Sequence, residues 1–450
     1  MMKSIVFIVI ICTSVTFAQF GEEMPRPALH PLSPVTFVAF PYWTVDTTFI
    51  ELAVFYRINP ELFFFAKTNN AQHEIYEAKG ELVFEIFDDK DAAITRDFRP
   101  FLIERNSLPE EGVPFAKEIH GALSFKLKKG LYKIVVEAKD SESGKSYINR
   151  DTKIDTRTFT SGLNISPALF VEPTSKDPFL NQRKNFFPMN RGGSVIIGQT
   201  GGCLIQVTSP DTTTDIHLFW EINSKSETDE ENQQNFHGDK CYQENGTPVV
   251  IEDPKRAVIS IKGDSKYSRI FFIPIPIERL EECKYQLKIA VTQGTLKTTK
   301  DFFFNILWPL KPHSLSDFKL AVDAVRHIAT EAEFDSMTAF SSSKSMKAFR
   351  AFWQKHNPDT TRAFNSAMAE YYRRVDETIN RFSSANETDG YRTDRGRIYF
   401  LFGSPSFTNR LLKPNSAPTE IWTYEKLKRR FTFTDQRKTG NYILIKMENY

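Results

Sequence analysis

Gly390-Tyr391-Arg392-Thr393-Asp394-Arg395-Gly396-Arg397-Ile398-Tyr399-Phe400-Leu401-Phe402-Gly403 organises the C-terminal part of this chain. Thr and Asp side chains satisfy nearby backbone amides, and glycine tolerates positive φ. Thr393-Asp394-Arg395-Gly396 therefore reads as a rigid turn. The turn would set the register of a strand over Arg397 to Phe402 against the helix before it, with Asp394, Glu370 or Asp376 as partners for Arg395. Upstream of the turn the apolar period is helical. Ser316 is the expected N-cap of a helix with Leu320, Ala324, Val325 and Ile328 on one face. Ser343 precedes a second helix, with Phe349, Phe352 and Trp353 inward, which stops near Asn357-Pro358. A third helix runs from about Thr361 to Phe382 on a stripe of Phe364, Met368, Tyr371, Val375 and Ile379. Downstream, Gly403 to Pro418 reads as a loop. Strands are expected at Glu420 to Tyr424, Arg430 to Asp435 and Asn441 to Lys446. The expectation for 315–450 is an α+β domain of about three helices on a four-stranded antiparallel sheet.

Before the stiff linker Trp308-Pro309-Leu310-Lys311-Pro312 the period falls to two. Ile50-Leu52-Val54-Tyr56-Ile58, Leu82-Phe84-Ile86 and Leu123-Phe125-Leu127 alternate, and Leu131 to Ala138 follows a Lys129-Gly130 turn. Asp140 to Ser146 reads as a hairpin tip. Residues 36–160 thus predict an antiparallel β-sandwich of immunoglobulin-like kind. Residues 163–310 predict a second, from runs such as Leu204 to Val207, Ile216 to Trp220, Ala257 to Ile261, Ile270 to Ile273, Tyr285 to Ile289 and Phe302 to Ile306. Asn223 to Gly238 has almost no apolar content and is expected to be a mobile loop. The chain as a whole predicts a multi-domain, mainly β protein.

The first residues speak to compartment. Lys3, the apolar run Ile5 to Ile11 and small residues at Thr16 and Ala18 predict a signal peptide over 1–18, cleaved before Gln19. Cys12 follows Ile10-Ile11, whereas a lipoprotein signal wants a small residue just before its Cys. Residues 19–35, with Pro25, Pro27, Pro31 and Pro34, read as an extended lead-in. No later run is apolar enough for a membrane span. The expectation is a periplasmic or secreted protein. Net charge is +2 over 450 residues, which gives no global field toward nucleic acid or acidic lipid. Cys203, Cys241 and Cys283 follow the signal peptide, allowing one bridge among them in an oxidising compartment and leaving one free thiol.

The quoted stretch, together with Leu320 to Ala329, Phe352-Trp353, Glu370 to Val375, Glu420 to Tyr424 and Arg429-Arg430-Phe431, resembles the GWxTD domain family. That family is known from secreted and envelope proteins of Bacteroidota and related diderm bacteria. The resemblance runs from about Asp317 onward and implies a location and an architecture, but no reaction. Two positions depart from the pattern. Tyr391 stands where the family usually has Trp, and Ser404-Pro405-Ser406 replaces Pro-Pro-Asp. Gly403-x-Pro405 followed by Trp422-x-Tyr424 is also similar to small lipoproteins that assist outer-membrane barrel assembly.

Two functions remain open on these residues. In the first, the protein is a non-catalytic binding or scaffold module for an envelope protein or polysaccharide. Gly390, Tyr391, Thr393, Asp394, Arg395 and Gly396 form its binding or structural motif. Trp422, Tyr424, Arg429 and Arg430 supply aromatic and basic surface. Residues 315–450 carry 22 Lys and Arg against 16 Asp and Glu, with Lys426, Lys428, Arg429 and Arg430 clustered. In the second, it is an extracytoplasmic hydrolase with a site near Asp394. An open pocket holding Asp394 and a second carboxylate would favour the enzyme. Asp394 bonded to backbone amides and buried beneath the third helix would favour the scaffold. No Gly-x-Ser-x-Gly elbow occurs, and Gly192 to Gly202 lacks the Lys-Ser/Thr ending of a phosphate loop. His237 and Cys241 lie four apart without a second ligand pair, so no metal or cofactor is expected.

Overall fold

The computed structural model describes residues 33–44, 48–70, 73–108, 118–157, 162–175, 178–179, 184–189, 191–225, 234–251, 256–263, 265–339, 342–383, 387 and 389–450. The signal peptide expected over 1–18 and the lead-in as far as 32 lie outside them. The described residues are mainly β, and their five α-helices all follow Leu315. None of those helices is long and apolar enough to cross a membrane.

Period-2 alternation forms the first strands as expected. Phe49–Ile58 is flanked by Val35–Trp43 and Ile119–Lys128 in a three-stranded antiparallel sheet. His73–Phe87 pairs with Ala66–Asn70, Ala93–Arg105 and Leu131–Asp140, and Ser146–Asp155 completes a five-stranded sheet. Leu52, Val54, Leu82, Phe84, Ile134 and Val136 close a fully buried core between the two sheets. The hairpin at Asp140 forms, and the Asp140 carboxylate accepts the Ser143 amide at 2.8 Å.

Beyond residue 163, an eight-stranded and a five-stranded sheet face each other across Ile205, Val207, Phe271, Leu287 and Ile289. The two β regions share a further core. Phe40, Tyr42, Ala53 and Phe55 leave the other face of the three-stranded sheet and pack on Leu169, Val171, Phe186 and Leu204. That sheet is buried on both faces, which is why Leu52, Ala53, Val54 and Phe55 form an unbroken apolar run. Four sheets therefore stack in series. A buried amide ties the middle pair: Gln206 Oε1 accepts the Trp43 amide at 2.7 Å, and its Nε2 donates to the Trp43 carbonyl at 2.9 Å.

One expectation is corrected in this region. Asn223 to Gly238 is strand at both ends, because His217–Ser224 pairs with Asn235–Gly238, and residues 226–233 lie outside the described set. Cys203, Cys241 and Cys283 are three free thiols. Cys203 is buried among apolar side chains, which pushes its thiol well above the usual range.

The C-terminal module holds helices α1 (Phe318–Val325), α2 (Glu331–Thr338), α3 (Ser342–Lys355), α4 (Ser366–Phe382) and α5 (Asp394–Phe402). Asp317, not Ser316, caps α1, accepting the Leu320 amide at 3.1 Å. The unexpected α2 starts at a reciprocal capping box between Thr330 and Glu333. Asn365 caps α4, so Phe364 precedes that helix and meets Trp308 edge-on at 5.4 Å. Arg397 to Phe402 is helix rather than strand. The four-stranded sheet exists, but its first strand is Phe407–Leu411, inside the expected loop. Thr419–Tyr424, Arg429–Thr434 and Ile443–Asn449 follow in antiparallel order. Trp422, Tyr424, Phe431 and Phe433 face Phe382, Ile398 and Tyr399 of α4 and α5.

Candidate functional site

The signature is a helix start wedged between two elements. Thr393 is the N-cap of α5. Its Oγ1 accepts the Gly396 amide at 3.0 Å and donates to the Gly390 carbonyl at 2.7 Å. Both glycines are needed for close backbone approach. A Cβ on Gly396 would stand 2.0 Å from the Gly390 carbonyl oxygen, and one on Gly390 would stand 2.1 Å from that of Thr378 in α4. The segment is thus pressed onto α4 with no room for a side chain at either contact. Gly403, at φ 78°, ends α5.

Arg395 does not pair with Asp394, Glu370 or Asp376. It points under the sheet, where Nη1 donates to Glu420 at 3.2 Å and Nη2 to the Gly440 carbonyl at 2.9 Å. Its side chain is 11% exposed and its guanidinium lies 4.1 Å above the Tyr442 ring. Burial lowers its pKa from the usual guanidinium range. Glu420 also accepts the Trp422 indole N–H at 2.7 Å. Tyr424 donates to the Gly403 carbonyl at 2.8 Å. Trp422 and Tyr424 are therefore core residues and offer no exposed aromatic face.

Asp394 is not beneath α4. Its Oδ2 accepts the Leu444 amide at 2.8 Å, and Oδ1 accepts from Arg397 at 3.0 Å. A carboxylate in the first turn also suits the positive end of the helix. Asp376 and Glu370 serve elsewhere. Asp376 accepts the Ser314 amide at 2.9 Å, and Glu370 is held well below the usual carboxylate range by Arg373, with Arg374 adding to it.

Tyr391 lies at the other edge of the signature. Its ring is buried, and its hydroxyl donates to Asp323 at 2.9 Å, a bond that burial and this partner mark by pushing the phenol up to about 12. Arg392 joins them, donating to Asp323 at 3.0 Å and to the Tyr391 oxygen at 3.1 Å. This triad borders an open groove of about 640 Å³ between α1, α2 and the signature. Phe318, Phe334 and Met337 supply its apolar wall, and Asp317, Asp389 and Lys319 part of its rim. The sequence reading missed Asp323, Glu420 and the groove. Its one available signal was Glu420, a carboxylate alternating with Trp422 and Tyr424 on the inward side of a strand, since a buried charge requires a partner.

The basic cluster divides between faces. Arg429 lies 5.7 Å over Phe402 on the helix side of the sheet, and Arg430 lies 5.2 Å over Tyr450. Lys426 and Lys428 are exposed in the intervening turn. Ser404 and Ser406, at the second departure from the family pattern, bond locally: Ser404 with the Tyr399 hydroxyl at 2.8 Å, and Ser406 with the Glu425 amide at 3.2 Å. The His237 ring stacks near Phe219 at 6.3 Å. Among the described residues no three His, Cys, Asp or Glu side chains gather as a metal site.

No curated protein matches the chain. One similar solved structure, described as a structural analysis of glycolipid glycan hydrolysis by a family 123 glycoside hydrolase from Clostridium perfringens, aligns at 14% identity with a TM-score of 0.17. The alignment covers 36% of this chain and 31% of that one, and a likeness of that size carries no argument. Residues 309–450 match the family model of the GWxTD domain, so the helical module with its four-stranded sheet carries that domain.

Proposed function

We propose that this is a non-catalytic binding or scaffold protein of the cell envelope, periplasmic or secreted. Its β regions, read as immunoglobulin-like sandwiches, act as a spacer, and its GWxTD domain docks a protein partner. One observation carries the reading. Thr393, Arg395, Gly396, Trp422 and Tyr424 are engaged inside the module, while Tyr391, Arg392 and Asp323 border an open groove. The apolar wall of Phe318 and Phe334, backed by the buried Met337, suits an apolar anchor. Asp317, Asp323 and Asp389 outnumber Lys319 and Arg392 at the rim, which favours a partner segment with a basic residue beside that anchor. A hydrolase would need Asp394 in an open pocket beside a second carboxylate. Here the Asp394 oxygens are bonded to Arg397 and a strand amide. The location rests on the leader-like residues 1–18.

Thr338 is exposed and lines the groove, so Thr338→Trp would fill it without disturbing the core. In a crosslinking pull-down from envelope fractions, the wild-type chain retains a partner that an equally stable Thr338→Trp chain loses. Identical partners for both chains would remove the groove from the account.

A further inference from the structure

A second cleft, of about 230 Å³, lies where three parts of the chain meet. Arg57 comes from the strand Phe49–Ile58, Arg256 from the second β region, and Arg362 from the segment before α4. The Gly198-Gln199-Thr200 turn forms one wall. This is the Gly-rich stretch that lacks the residues of a phosphate loop. Its glycine is at φ 78°, and Arg362 approaches the Gly198 carbonyl at 3.5 Å.

The surroundings hold these guanidiniums in place. Glu118 accepts from Arg57 at 3.0 Å and from both terminal nitrogens of Arg191 at 2.7 Å. Arg256 bonds Glu172 at 2.5 Å and lies 3.8 Å over the Phe187 ring. Glu172 itself lines the cleft and Arg362 pairs with Asp359 at 3.3 Å, so Arg57, Arg191, Arg256 and Arg362 outnumber Glu118, Glu172 and Asp359 by one positive charge. Burial and then the charge of Arg191 lower Arg57 to about 10, ahead of the opposing pull of Glu118. Nearby His120 falls to about 4 through burial and then Arg57.

We propose that this cleft is an oxyanion site for a phosphate or sulfate group, free or at the end of a small ester. Arg57, Arg256 and Arg362 provide the cations, and the Thr200 hydroxyl a neutral donor. A planar guanidinium fork matches two oxygens of a tetrahedral anion. The volume holds such a group with several waters, since about seven would fill it. The site is independent of the Tyr391 groove, so either proposal can fail without the other.

The test is calorimetric titration of the full chain with inorganic phosphate, inorganic sulfate and glycerol phosphate, beside Arg362→Ala and Thr200→Trp. Both positions are exposed, and matched melting curves would verify folding. The expected result is saturable binding at one site, at least tenfold weaker in Arg362→Ala and abolished in Thr200→Trp. A tenfold preference for glycerol phosphate identifies an esterified group as the ligand, and equal affinity identifies the free ion. Either keeps the site. Absence of saturable binding by all three anions, or equal affinity in wild type and both variants, overturns it.

Discussion

Arg395 and Arg392 lie three residues apart in one segment, yet their environments are opposite. The Arg395 guanidinium is enclosed by Glu420, the Gly440 carbonyl and the Tyr442 ring, with 11% of its side chain exposed. That of Arg392 is half exposed, bonded to Asp323 at the edge of a groove. Residue type does not distinguish the two; burial does. A buried charge that loses its partner is costly, whereas an exposed pair contributes little. The sheet-facing side of the segment therefore holds the module together, and the groove-facing side, which we propose serves binding, contributes little to stability.

The largest expected effect is at Glu420. Glu420→Ala strands the Arg395 charge and also removes the acceptor of the Trp422 indole. Urea denaturation should show a loss of about 3–5 kcal/mol. A loss below about 1 kcal/mol would mean that the enclosed side is not the stabilising one. Next is Gly396→Ala, whose methyl meets the Gly390 carbonyl. Alanine gains up to about 1 kcal/mol of helix propensity, but the clash is with backbone that cannot turn aside. A net loss of about 1–3 kcal/mol is expected, read as a lower melting temperature. An unchanged or raised temperature would show that the contact between Gly396 and the Gly390 carbonyl is loose. Thr393→Ala removes the cap of α5 and should cost about 1 kcal/mol in the same denaturation assay. Tyr391→Phe deletes the hydroxyl that donates to Asp323 and accepts from Arg392, for about 0.5–1.5 kcal/mol. A larger loss there would move the groove edge into the stabilising class and weaken the contrast.

The readable parts of the sequence were those with one buried face. Leu82, Phe84 and Ile86 announce their strand because every second residue enters the core. The inward Phe349, Phe352 and Trp353 of α3 were readable for the same reason at helical spacing. In α5, Ile398 to Phe402 is five apolar residues in a row, and periodicity cannot separate helix from strand over such a run. Thr393 and Gly403 at its ends decide the matter, as a cap and a stop. The short α2 buries one residue, Met337, so its capping box was the only strong signal. The site divides likewise. Tyr391, Thr393 and the glycines stood out as a local motif. Their partners Asp323 and Glu420 lie 68 and 25 residues away from Tyr391 and Arg395, at contacts that only the helix packing and the strand register create.

The central claim is that one segment has a structural side and a binding side, and paired urea denaturation of Arg395→Ala and Arg392→Ala tests it most directly. The account predicts a loss of about 3–5 kcal/mol for Arg395→Ala, which leaves Glu420 buried without its main partner. It predicts about 0–1 kcal/mol for Arg392→Ala. Equal losses, or a larger loss at Arg392, would contradict it.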